Sequence, residues 1–109
     1  MLQALDRIQQ LRSASERVSV DGNREYNAGW HTALDLYHLL TVSEIVTRAA
    51  LDRKESRGAH FRDDFPEKNT RFGAFNIVVR KDADGAMHFS REPIPPMRSD
   101  LQQIIEEMK

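Results

Sequence analysis

No cysteine occurs in the 109 residues. That excludes disulfides, cysteine-ligated zinc or iron–sulfur clusters and a cysteine nucleophile, and it leaves the redox compartment open. Neither sign of charge is in surplus, because 16 Lys and Arg stand against 17 Asp and Glu, for a formal net charge of -1. A chain so balanced has no overall electrostatic case for nucleic acid or an anionic membrane. No apolar run approaches the ~20 residues of a membrane span, which argues against direct membrane insertion. Met1-Leu2-Gln3-Ala4-Leu5-Asp6 begins amphipathic rather than as a signal peptide. A glycine-rich G-x-G-x-x-G turn is missing too, and with it a dinucleotide cradle inside this chain.

What is present is 39% hydrophobic and 30% charged residues. This suits one small, well-folded, mainly helical domain. Leu2, Leu5, Ile8, Leu11, Ala14 and Val18 recur every three or four residues and predict an amphipathic helix to about Arg17. It starts without a lead-in or cap, so the chain reads as cut from something longer. Ser19-Val20-Asp21-Gly22-Asn23 is a turn. A second helix is expected from about Arg24, with Tyr26, Trp30, Ala33, Leu34, Tyr37 and Leu40 as its core stripe. Gly29 within it would allow close approach of another element. Thr41 and Glu44 fit a capping box, so a break is expected near Leu40-Thr41, with a third helix to about Ser56. Residues 1–66 then form a three-helix bundle, spectrin-repeat-like in outline.

After Pro66 the pattern changes. Phe75, Ile77 and Val79 alternate with Asn76, Val78 and Arg80, and Met87 and Phe89 alternate with His88 and Ser90. Joined by Asp82-Ala83-Asp84-Gly85, these runs predict a β-hairpin. Pro93, Pro95 and Pro96 make a stiff link. Ser99 and Gln102 fit another capping box, before a short helix with Leu101, Ile104, Ile105 and Met108 on one face. The fold class expected is therefore mainly α: a small three-helix bundle, then a hairpin and a short C-terminal helix. Residues 67–109 are expected to pack on the bundle.

The densest chemistry lies in Arg53-Lys54-Glu55-Ser56-Arg57-Gly58-Ala59-His60-Phe61-Arg62-Asp63-Asp64-Phe65-Pro66. Gly58 sits where a helix ending at Ser56 or Arg57 would take a left-handed cap, with Lys54 and Arg57 at the negative end of its dipole. One reading is a solvated helix terminus whose charges point outward together. The other is a docking surface, because arginine suits bidentate pairing with carboxylate or phosphate.

Arg53-x-Glu55-Ser56-Arg57-Gly58-Ala59-His60-x-Arg62-x-Asp64-x-Pro66 resembles the signature of the C-terminal domain of succinate dehydrogenase and fumarate reductase flavoprotein subunits. L-aspartate oxidase carries similar forms. After Pro66 the chain departs from that pattern with Glu67-Lys68-Asn69-Thr70-Arg71-Phe72-Gly73. The resemblance implies a C-terminal fragment of a longer flavoprotein that interconverts succinate and fumarate. FAD would sit in upstream FAD-binding and capping domains, and an iron–sulfur subunit would be a partner. It implies a cytoplasmic location, with partner subunits as the route to the inner face of a membrane. Arg53, Glu55, Ser56, Arg57, Gly58, His60, Arg62 and Asp64 become a domain-docking motif, with no catalytic, cofactor-binding or metal-binding residue in this chain. The competing function is a freestanding interaction module that binds an acidic partner through Arg57, His60 and Arg62. In the docking reading, Arg57→Ala leaves stability alone, whereas Trp30→Ala costs ~3–5 kcal/mol.

Other constellations are weaker. His31, Asp35 and His38 could share one helix face, but a fourth metal ligand is missing. Asp82-x-Asp84-Gly85 echoes a calcium loop without its distal glutamate, and reads as a turn. His60 lacks a nucleophile beside it.

Overall fold

Helix α1 (Leu2–Ser15) packs against helix α2 (Ala28–Asp52), with Leu5 half-buried. The computed structural model describes residues 1–108. Ile8 of α1 and Leu40 of α2 are its two buried apolar side chains among the described residues. Arg12 reinforces the pair by reaching Glu44 at 2.9 Å. The mainly helical character, the hairpin and the short C-terminal helix are all present, but among the described residues two α-helices rather than three precede the hairpin.

The expected break at Leu40-Thr41 does not occur. No glycine or proline interrupts the backbone there, and Thr41 Oγ1 donates back to the Tyr37 carbonyl at 2.9 Å instead of capping a new helix. Glu44 is held by Arg12 and by Arg48, at 2.9 and 2.7 Å, so it does not reach back to a cap. The result is one helix of 25 residues.

That helix starts later than its apolar pattern suggests. Tyr26 has φ +55, outside helical backbone, and Asn27 caps α2 by accepting from the Trp30 N–H at 3.4 Å. The expected core stripe is corrected accordingly: Tyr26, Leu34 and Tyr37 are exposed, Trp30 is half-buried under the Arg24 guanidinium, and Leu40 alone is fully covered.

A 3₁₀ turn (Phe72–Ala74) leads into strand β1 (Phe75–Lys81), which pairs antiparallel with β2 (Met87–Pro93), Val79 opposite Phe89. In the connecting turn Gly85 has φ +84, and Asp82 Oδ1 accepts from the Ala86 N–H at 2.7 Å. Arg91 of β2 ties the hairpin to the end of α2 by gripping Asp52 at 3.1 and 2.5 Å.

The sequence pattern has helix α3 (Ser99–Glu107) packing on the rest, with Ser99 as its cap. Instead Arg98 precedes it without a side-chain cap, and Leu101, Ile104 and Ile105 stay exposed. Residues 94–98, with Pro95 and Pro96, link it to β2. The molecule is accordingly elongated, 63 × 32 × 30 Å, with a radius of gyration of 19.8 Å. A compact chain of this length would have about 13 Å.

Candidate functional site

α2 ends at Asp52, four residues short of the expected terminus, and the charged stretch is the loop that follows. A helix end leaves its last carbonyls without partners and carries partial negative charge. Arg62 answers both. Its Nη1 lies 3.0 Å from the Ala50 and Leu51 carbonyl oxygens and 3.2 Å from that of Arg53, sharing its hydrogens among them. Its Nε and Nη2 grip Asp64 at 2.8 and 2.6 Å. Arg62 is only 7% exposed. Pairing raises the pKa of Arg62 and lowers that of Asp64.

The centre of the loop is Glu55, whose side chain is 0% exposed. Arg57 donates to both of its oxygens at 3.0 and 3.1 Å, Arg53 donates at 2.5 Å, and the Asn69 N–H donates at 2.8 Å. A carboxylate buried this fully is tolerable only with such partners. The Arg57 guanidinium above all, with the Asn69 N–H and Arg53, holds the Glu55 carboxyl down to about 2 against an ordinary value of 4.5. Arg53 also donates to the Phe72 and Phe75 carbonyls at 2.9 and 3.3 Å, which brings the start of β1 onto the same carboxylate.

Ser56 completes the loop closure. Its hydroxyl donates to the Phe65 carbonyl at 2.8 Å and accepts from the Arg62 N–H at 2.9 Å. Gly58 is not a helix cap. It occupies the first central position of a tight turn closed by Arg57 N–H to His60 O at 2.8 Å and His60 N–H to Arg57 O at 3.1 Å, with φ +58. His60 Nε2 lies 3.2 Å from the Arg53 carbonyl. Gly73 matters by closeness: a Cβ there would stand 2.8 Å from Arg57 Nη2.

The eight motif residues are therefore brought together, but not as charges pointing outward. Glu55, Ser56 and Arg62 are buried, and Arg53 and Arg57 turn in on Glu55. The interaction-module alternative needs Arg57 and Arg62 free for an acidic partner, and both are engaged within the chain. Sequence reasoning misses Asn69, Asp52 and Arg91 as parts of this site; the polar loop after Pro66 and a charge midway along a strand give no local signal of where they fold. Among the described residues no group of three His, Asp or Glu is placed to hold a metal ion. His31 and His38 instead lie edge-on to Trp30 and Tyr37. Among the described residues no helix is long and apolar enough to cross a membrane.

The chain is similar to known proteins. A family model described as "Fumarate reductase flavoprotein C-term" matches residues 1–105. The succinate dehydrogenase flavoprotein subunit of Coxiella burnetii is 39% identical over 107 residues, 92% of this chain and 18% of its own length. The fumarate reductase flavoprotein subunit of Haemophilus influenzae is 34% identical over 100 residues, 91% of this chain and 17% of its own. Mycobacterium smegmatis Sdh1, solved in complex with UQ1, superposes with a TM-score of 0.84 at 41% identity, covering 96% of this chain and 18% of Sdh1. The chain thus spans less than a fifth of the length of these relatives. With a family match over nearly its whole length, the chain belongs to the C-terminal domain family of fumarate reductase and succinate dehydrogenase flavoprotein subunits.

Proposed function

We propose that the polypeptide carrying this chain is an FAD-dependent oxidoreductase that interconverts succinate and fumarate, and that this chain is its C-terminal docking domain. The observation that carries the reading is the likeness to Sdh1, at 41% identity over 96% of the chain. Dinucleotides sit on a glycine-rich turn between a parallel strand and a helix, whereas the sheet here is a two-stranded antiparallel hairpin. Flavin and substrate would belong to upstream FAD-binding and capping domains, an iron–sulfur subunit would take the electrons, and the complex would work in the cytoplasm at the inner face of a membrane.

Within this reading Arg53, Glu55, Ser56 and Arg62 hold the loop shape, and Gly58, His60, Asp64 and the outer edge of Arg57 present it to the flavin domain. Phe61, exposed beside them, adds an apolar contact.

The test is to recover the native polypeptide with an antibody to this domain and record its mass, visible spectrum and succinate oxidation with an artificial acceptor. A yellow protein several times heavier than 12.6 kDa, active on succinate, is expected. A colourless protein of that small mass, inactive on succinate and fumarate, would overturn the proposal.

A further inference from the structure

Alternate residues of a strand share a side, and Met87 of β2 stands opposite Lys81 of β1, so Val79, Lys81 and Met87 lie on one face of the hairpin. Arg91 lies on the same face and grips Asp52, which turns that face towards α2. Across from it α2 presents Glu44, Ile45 and Arg48, with Arg12 of α1 beside Glu44. Together these residues line a cleft of about 520 Å³ between the hairpin and the helical pair. Small-molecule sites typically measure roughly 300–1,000 Å³ and combine apolar walls with a few polar groups. Here Ile45, Val79 and Met87 supply the apolar lining.

The polar groups of the cleft do not balance. Arg12 reaches Glu44 at 2.9 Å and Arg48 reaches it at 2.7 Å, so two guanidiniums share one carboxylate and one positive charge is left over. Arg80 at the rim is matched by Glu92 at 2.7 Å. Lys81 pairs with no carboxylate among the described residues. The cleft therefore holds a surplus of two positive charges, in a chain whose formal net charge is -1. That surplus is divided, with guanidiniums on the helical wall and an ammonium on the hairpin wall. We infer that the cleft binds a short dicarboxylate. One carboxylate meets Arg12 and Arg48, whose planar forks suit it, and the other meets Lys81. The methylene chain between them lies along Ile45, Val79 and Met87. A phosphomonoester carries both charges at one end and matches the divided surplus less well, and a monoanion leaves one wall uncompensated. Every group involved belongs to this chain, so the site stands or falls independently of the function proposed above.

The experiment uses the complete polypeptide with isotope-labelled methionine methyl groups, the Met87 signal being assigned by its loss in Met87→Leu. The probe is adipate, with hexanoate as the matching monoanion and phenyl phosphate as a dianion charged at one end. Adipate is expected to shift the Met87 signal saturably and to bind at least tenfold more tightly than hexanoate. Lys81→Ala, at an exposed position, should weaken adipate at least tenfold, and Lys81→Arg should restore it. If Lys81→Ala does not fold, Arg48→Gln is titrated in its place with the same expectation. The absence of a saturable shift overturns the inference, because the cleft is then closed or unselective. Hexanoate binding as tightly as adipate overturns it, and so does adipate binding that is unchanged in the Lys81→Ala variant. Phenyl phosphate binding more tightly than adipate overturns the assignment to a dicarboxylate. Colour and succinate activity are recorded separately, so a flavin-free, inactive protein fails the proposed function whatever the titration shows.

Discussion

Arg57 grips both oxygens of the wholly buried Glu55 carboxylate, at 3.0 and 3.1 Å. The pair joins the loop after α2 to the approach to β1, because Asn69 and Arg53 meet on the same carboxylate. A motif that reads as surface charge is the internal knot of the domain.

Arg57→Ala is therefore expected to lower the melting temperature, the reverse of what a purely outward docking role implies. Removing one partner of a buried pair strands the other, and the stranded group here is an acid in a fully enclosed site. Arg57→Ala and Glu55→Gln should each destabilise far more than Lys54→Ala, an exposed change in the same loop. Thermal melts of the three variants decide the matter, and equal melting temperatures would contradict it.

The same pair sets an acid limit. With Glu55 held at about 2 in the folded chain against an ordinary 4.5, folding favours the ionised form. That contribution is fully present above pH 4.5 and is lost as the pH falls from there towards 2. Asp64, lowered by Arg62, adds to the loss with the same sign. Stability measured against pH should fall steeply below pH 4.5 in the wild type. The gap to Glu55→Gln should narrow over the same window.

Arg62→Lys should fray the last turn of α2. Lysine keeps the charge but lacks the planar fork that meets Ala50, Leu51 and Asp64 together. Amide exchange at Leu51 to Arg53 should speed up while the middle of α2 is unchanged. Unaltered exchange at those positions would mean that the helix end is held by something else.

Two glycines should respond differently for stated reasons. Gly58 has φ +58 with open space around it, so Gly58→Ala costs only the left-handed backbone, about 1–2 kcal/mol. At Gly73 a new Cβ meets Arg57 Nη2, so Gly73→Ala should push the guanidinium off Glu55 and raise the Glu55 pKa as well. Denaturant melts together with a carboxyl titration separate the two effects.

In the core, Leu40→Ala is expected to cost about 2–5 kcal/mol, because Leu40 is one of the two buried apolar side chains among the described residues. Trp30→Ala should cost less, since Trp30 is half-exposed beneath Arg24. If Trp30→Ala proves the costlier of the two in denaturant melts, the packing described for the helical pair is wrong.

How far the chain can be read in advance follows from where its signals are local. The apolar spacing of α1, the alternation of Phe75, Ile77 and Val79, and the Asp-Gly turn all act within a few residues, and these elements form as their patterns predict. The Leu40-Thr41 break fails because a capping box is only one use of Thr and Glu. Arg12, thirty-two residues before Glu44, claims the acid instead. Likewise the charged stretch stands out as the distinctive one, yet its direction depends on Asn69, Phe72 and Phe75, which lie beyond any local window. Tyr37, Leu34 and Leu39 are legible as apolar, but which side of α2 each covers depends on where α1 lands.

The most direct measurement of this account is the titration of Glu55 itself, followed by the side-chain carboxyl carbon in a labelled sample. A midpoint near 2 is predicted, with the wild-type fold intact through the start of the transition. A midpoint near 4.5 in the folded protein would show that Arg53 and Arg57 do not enclose the carboxylate, and the internal clasp would have to be abandoned.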